Sequence, residues 1–124
     1  MNEIDASVAI EEVIQTYFDG MYESSKSKVE EAFHPNAMIV GHTPNNDLFE
    51  STRDSFGDFV ESQKPSAKEK GEPAYLEVLS IDVAGRTAVA RVKDVYMGQT
   101  FIDSLSLVRD GASWKIYNKL YHMQ

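Results

Sequence analysis

The stretch Val92–Leu105, VKDVYMGQTFIDSL, decides the fold. Two runs of alternating apolar residues flank Gly98. With Met97 to Thr100 as the turn, Tyr96 pairs with Phe101, Asp94 with Asp103, Val92 with Leu105 and Ala90 with Leu107. Strand side chains alternate with period two, so all of these share one face. The face is apolar except for two carboxylates set opposite one another. Two aspartates in such a place are the first candidates for a functional site.

Turns on either side extend the pattern. Asp110-Gly111 is a strong hairpin signal. As a two-residue turn it pairs Leu107 with Trp114, Leu105 with Ile116 and Asp103 with Asn118. A turn at Gly85-Arg86 pairs Val83 with Ala88, Ile81 with Ala90, Leu79 with Val92 and Glu77 with Asp94. The expected strands are Tyr75–Ala84, Thr87–Met97, Thr100–Arg109 and Trp114–His122. Together they form a four-stranded antiparallel meander. One polar row, Glu77–Asp94–Asp103–Asn118, crosses its apolar face. Arg91, Lys93, Ser104, Ser106, Lys115 and Lys119 fall on the opposite face. A bulge would reverse the facing of any strand beyond it. Glu77 is the most vulnerable member of the row, because Leu76 and Val78 alternate the other way.

The N-terminal half has helical spacing instead. Ile10, Val13, Ile14, Tyr17, Phe18, Met21 and Tyr22 recur at three and four residues, which predicts an amphipathic helix over about 6–23. Asp5 or Ser7 is its expected cap. Ser27-Lys28-Val29-Glu30 has the form of a capping box for a second helix, with Val29, Ala32 and Phe33 inward and Pro35 as its stop. Asn36–His42 is a predicted strand with Met38 and Val40 on one side. Leu48–Glu50 is a short strand, and a third helix begins at Ser51-Thr52-Arg53-Asp54, with Phe56, Phe59 and Val60 as its apolar residues. Gln63–Pro73 is polar and rich in helix breakers, as a solvated, mobile loop would be. Helices first and strands after, each with one apolar face, indicate an α+β domain with helices layered on a curved antiparallel sheet.

The totals exclude several classes. The 124 residues suit one domain. The net charge of −8 argues against nucleic acid or an anionic membrane as the main partner. With no cysteine, disulfides, thiolate catalysis and cysteine-based zinc sites are out. Three scattered histidines, His34, His42 and His122, lack metal-ligand spacing, so no metal is expected. His34 has a structural place at a helix end, and His42 is a candidate for a pocket mouth. No phosphate-cradling glycine loop or nucleophile elbow is present, and no cofactor is expected. No apolar run spans a membrane. The start, MNEIDASVAIEEV, is acidic where a signal peptide is basic. The expected compartment is the cytoplasm.

Two helices with Phe33-His34-Pro35-Asn36-Ala37 closing the second, a third helix, and a meander ending in Trp114-Lys115-Ile116-Tyr117-Asn118-Lys119 resemble the nuclear transport factor 2-like superfamily. Within it the chain is similar to the bacterial "putative lumazine-binding" group over nearly its whole length. The resemblance implies a single cone-shaped α+β domain over 1–124, in which a strongly curved, mostly antiparallel sheet wraps the first helix and encloses a pocket. It also implies homodimers paired through the outer sheet face. The superfamily holds ketosteroid isomerases, scytalone dehydratase and polyketide cyclases, and also binding proteins without catalysis, so the fold leaves function open.

Three functions follow for such a domain. The first is non-covalent binding of a small organic ligand by Tyr17, Met21, Phe56, Phe59, Glu77, Asp94, Tyr96, Asp103, Trp114 and Asn118. The second is a cofactor-free isomerase, dehydratase or cyclase, with Asp94 or Asp103 as general base and a tyrosine or the other aspartate as acid. Two close carboxyls in an apolar site resist double ionisation, so one stays protonated near neutral pH. The third is a dimeric scaffold without a ligand, whose pocket is vestigial and whose outer sheet face does the work through association. The plainer reading of the site residues makes the aromatic ones core and sets the aspartates near the mouth of the cone, solvated or bonded to a nearby Tyr, Lys or Arg.

Overall fold

The computed structural model describes residues 3–124, with side chains from Asp5 onward. Helix α1 spans Glu3–Glu23 and α2 spans Lys26–Ala32. Strands β1, Phe33–His42, and β2, Leu48–Thr52, precede α3, Arg53–Ser62. Then come β3, Leu76–Ala84, β4, Thr87–Tyr96, β5, Gln99–Asp110, and β6, Ser113–Met123. The sheet has six strands in the order β2-β1-β6-β5-β4-β3. The expected meander is its larger part. β1 joins it by pairing parallel to β6, and β2 folds back antiparallel on β1.

The apolar stripe of α1 does what its spacing predicts. Ala6, Ile10, Ile14, Tyr17, Phe18 and Met21 are buried against Ala90, Val92, Leu105, Leu107 and Ile116 of the sheet. Burying each large side chain contributes roughly 1.5–3 kcal/mol. The helix is already formed at Glu3, so Asp5 and Ser7 lie inside it and do not cap it. It ends where Ser24 turns left-handed, φ 54°, and Ser25 N–H donates to Gly20 O at 2.8 Å.

The caps of the other helices sit next to the expected positions. Ser25, not Ser27, caps α2 by accepting from Lys28 N–H, and Thr52, not Ser51, caps α3 by accepting from Ser55 N–H. Pro35 keeps the chain before it extended, so β1 starts at Phe33, directly after α2. Its buried positions are Phe33, Ala37, Ile39 and Gly41; Met38 and Val40 share the other side and are half-buried. The polar segment after α3 is pinned rather than loose. Tyr22 Oη donates to Glu72 O at 2.6 Å, and Lys68 N–H donates to Tyr22 O at 3.0 Å.

Three registers differ from expectation, and each has a local cause. The β4–β5 turn is the two-residue Met97-Gly98, with φ 55° and 74°, so Tyr96 lies opposite Gln99 and Asp94 opposite Phe101. A shift of two leaves every side chain on its expected face. A bulge at Leu79 separates Val78↔Val92 from Ser80↔Arg91 in β3. Beyond it Leu76 and Val78 turn inward and Glu77 turns outward. A bulge at Tyr117 separates Leu107↔Ile116 from Ser106↔Asn118, which sends Asn118 outward and Lys119 inward.

Met97 bears a backbone conformation that favours asparagine or glycine in a two-residue hairpin turn. Met97→Asn is therefore expected to raise stability by about 0.5–1 kcal/mol, read as a higher urea midpoint with an unchanged m-value.

Candidate functional site

Strand β4 carries Asp94 and β5 carries Asp103, on the concave face. Both are buried, and they sit diagonally across the β4–β5 pair, since Asp103 lies opposite Val92. Tyr17 of α1 reaches down onto this face, and its hydroxyl donates to Asp103 Oδ2 at 2.8 Å. Asp94 Oδ2 and Asp103 Oδ1 are buried without a donor among the described residues. A proton shared between the two carboxyls supplies the missing bond, and they are close enough to make it.

Burial pushes Asp94 up to about 8, and the charge of Asp103 and the hydrogen bond to it push the same way; Lys119 pulls against them. Tyr17 is held well above its ordinary value, first by burial and then by the charges of Asp103 and Asp94. Burial alone pushes Tyr96 up to about 12, and its hydroxyl has no partner among the described residues. Both phenols therefore stay protonated and can donate hydrogen bonds.

Next to this group lies a cavity of roughly 430 Å³ between sheet and helices, within the size range of small-molecule pockets. Met21, Phe56, Phe59, Asp94 and Tyr96 line it, as do Ile39, Phe101 and Tyr121. Phe59 is 44% exposed and stands at the rim. His42, Thr43 and Pro44 border it from the β1–β2 loop, so His42 is at the mouth. His34 lies elsewhere: its Nδ1 accepts from Asn36 N–H, and its ring packs on Tyr117.

Several candidates fall outside the site. Glu77 is exposed and accepts from Tyr75 Oη at 2.7 Å, because the Leu79 bulge turns it out. Asn118 is exposed because of the Tyr117 bulge. Trp114 is buried in the core at the other end of the sheet, away from the cavity lining, and its Nε1 lacks a partner among the described residues. The polar row of four thus contracts to Asp94 and Asp103.

Lys119 takes the place expected for Asn118. It lines the cavity, is 6% exposed, and holds its Nζ 4.7 Å from the centroid of the Tyr17 ring and 4.8 Å from that of Phe56. The sequence carries one sign of this. Trp114 and Ile116 set an inward parity of even numbers, and the aromatic Tyr121 then appears on the odd parity, as a bulge between them requires. Tyr121 packs flat over Gly41, where any Cβ would collide with its ring.

A model of the family described as "Putative lumazine-binding" matches residues 5–122. A protein named aldolase FrzH, from Cladobotryum, is 25% identical over 121 residues, covering 98% of this chain and 91% of its own length. Among solved structures, an NTF2-like protein of unknown function from Silicibacter pomeroyi DSS-3 covers 100% of both chains at 24% identity and a TM-score of 0.90. Another, from Shewanella baltica OS155, covers 100% of this chain and 98% of its own at 25% identity and a TM-score of 0.87.

The raised value of Asp94 fixes the sign of a pH effect. In the unfolded chain the group takes its ordinary value, 3.8, and in the fold about 8. The folded state holds a proton that the unfolded state releases between those limits. Its contribution to stability is thus complete below about pH 4, falls as pH rises towards 8, and is flat above. Asp94→Asn, neutral at every pH, should remove this slope and be more stable than the parent at pH 9 by about 1–3 kcal/mol, measured by urea unfolding from pH 5 to 9.

Proposed function

The chain belongs to the "Putative lumazine-binding" family of the NTF2-like superfamily, and from that premise we propose that its cavity binds a small, largely apolar carbonyl compound and moves a proton on the carbon beside the carbonyl. The observation that carries this is the pair Asp94–Asp103, two carboxyls buried together with one of them on a cavity wall. A base for a carbon acid works best when its proton affinity lies near the working pH, and burial beside Asp103 brings Asp94 there.

In the productive form Asp94 faces the ligand as carboxylate, beside Asp103, which Tyr17 holds in place. Asp94 takes the proton from carbon as the ligand becomes an enolate. The same carboxyl returns the proton at another position. The charge of the enolate develops against Lys119, whose ammonium faces the same space. The Tyr96 hydroxyl, buried and without a partner, is the hydrogen-bond donor for the ligand oxygen. The aldolase name of a relative supports carbonyl chemistry of this kind.

Exchange of a ketone's α-hydrogens with deuterated water tests the scheme by NMR. The parent is expected to accelerate exchange of a cyclic ketone, and Asp94→Asn to lose about 10²–10⁴-fold while keeping its fold. Retained exchange in Asp94→Asn rejects Asp94 as the base. Binding without turnover is the second function, favoured by a lining that is apolar apart from a few side chains. It predicts a thermal shift with such ketones and no exchange in the parent. Inward aspartates beside an open cavity support both pocket readings over a ligand-free scaffold.

Pairing of two copies through the outer sheet face belongs to the same proposal. Val89, 59% exposed, and Leu120, 56% exposed, flank Ser104 and Ser106 there on three adjoining strands. An apolar patch on a sheet face that no helix covers suits an isologous dimer. Light scattering is expected to give a dimer at micromolar concentration and a monomer for Leu120→Lys; a monomeric parent rejects the pairing.

A further inference from the structure

Lys119 has a setting that electrostatic support of an enolate does not require. Lys26, Lys28, Lys70 and Lys115 each reach an oxygen, of Asp58, Glu23, Glu72 and the Glu31 carbonyl. Lys119, far more buried than any of them, has no hydrogen-bond or ion-pair partner among the described residues. Its Nζ lies among the faces of Tyr17, Phe56 and Tyr121, the last at 5.6 Å. Rings attract a cation but accept no directed hydrogen bond from it at full strength. A buried ammonium ordinarily has such a bond, because losing water without one is costly. The amine is therefore free to face whatever fills the cavity. An amine that faces an apolar cavity with no bonded partner is also placed to act as a nucleophile towards carbonyls.

We propose that Lys119 forms a covalent imine with an aldehyde or ketone bound in the cavity. This rests on the cavity being a site for carbonyl compounds, and adds to it that the compound is held through nitrogen. Asp94, as carboxylate, takes one proton from the ammonium by way of one intervening water. The freed lone pair attacks the carbonyl carbon, the C–N bond forms, and the π pair moves to oxygen, which receives that proton from Asp94. A second N–H proton travels by the same carboxyl to the hydroxyl group, the C–O bond breaks and water leaves. One ammonium and one carbonyl give one iminium and one water, with the charge unchanged and no redox partner. The iminium nitrogen then draws electrons from the neighbouring carbon, where Asp94 acts as base.

The probe is pentane-2,4-dione, a 1,3-diketone that condenses with an amine to a conjugated enaminone absorbing in the near ultraviolet. The intact chain is titrated with it, the band is followed, and the modified lysine is located by peptide mass spectrometry. The expected result is one equivalent of adduct on Lys119, formed at least tenfold faster than on any other lysine. Lys119→Arg, which keeps the charge but cannot form the enaminone, should lose the band and keep a thermal shift with the diketone. Lys119→Met serves in its place where the arginine variant melts early by circular dichroism. A parent that gives a thermal shift but no preferential adduct on Lys119 overturns the imine and leaves the carbonyl site standing. A parent with neither shift nor adduct overturns both. The mapping of the parent alone decides the matter if both variants fail to fold.

Discussion

The concave face of this sheet must keep two carboxyls out of water, and much of the arrangement around them follows from that constraint. Asp94 and Asp103 are both buried, two positions apart in register across the β4–β5 pair. Two charges cannot be held there cheaply, so the pair keeps a proton, and each remaining lone pair calls for a donor. Tyr17 supplies one from α1, across 86 positions of sequence. That bond ties the helix to the sheet at a defined height. It also ends the apolar part of the α1–sheet seam and begins the cavity, which Met21, one helical turn on from Tyr17, lines.

Two bulges decide which side chains reach this region. Without them the face would carry Glu77 and Asn118 beside the aspartates, giving three carboxylates and no cation. The bulge at Leu79 removes one acid, and that at Tyr117 exchanges an amide for an amine. An extra residue in a strand costs a ladder hydrogen bond but re-aims everything beyond it. Here the result is electrostatic as much as geometric. The same bulge brings Tyr121 onto the inner face, where its ring needs a residue without a side chain beneath it and finds Gly41.

Most of the fold was legible in the sequence, because period is a property of many residues at once. The α1 stripe and the four alternating strands survive an error of a residue or two in any turn. The displaced β4–β5 turn shows this: a methionine at a left-handed position hid the two-residue hairpin, yet the shift by two left Asp94 and Asp103 facing inward. Caps moved by one or two positions for the same reason, since Ser25 and Ser27, or Ser51 and Thr52, offer near-equal side chains. The site was less legible. A bulge depends on one position, and its only trace is a change of parity, seen at Leu76 and Val78 and again at Tyr121. The parallel contact of β1 with β6 left no local trace at all, and with it Ile39 and the cavity wall it forms went unforeseen.

The charges left inside balance once the proton is counted. With one proton the aspartate pair carries a single negative charge, and Lys119 a single positive one, close enough to draw down the proton affinity of Asp94. The interior is then neutral without a contact ion pair, for the Lys119 ammonium has no hydrogen-bond or ion-pair partner among the described residues. A contact pair would be more stable and less useful, since a lysine bonded to a carboxylate has neither a free face nor an available lone pair. Separation by aromatic rings keeps the amine compensated yet uncommitted. Such a lysine favours a visitor with an electron-poor carbon beside an oxygen, because that visitor can use the amine, the wall carboxyl and the Tyr96 hydroxyl together.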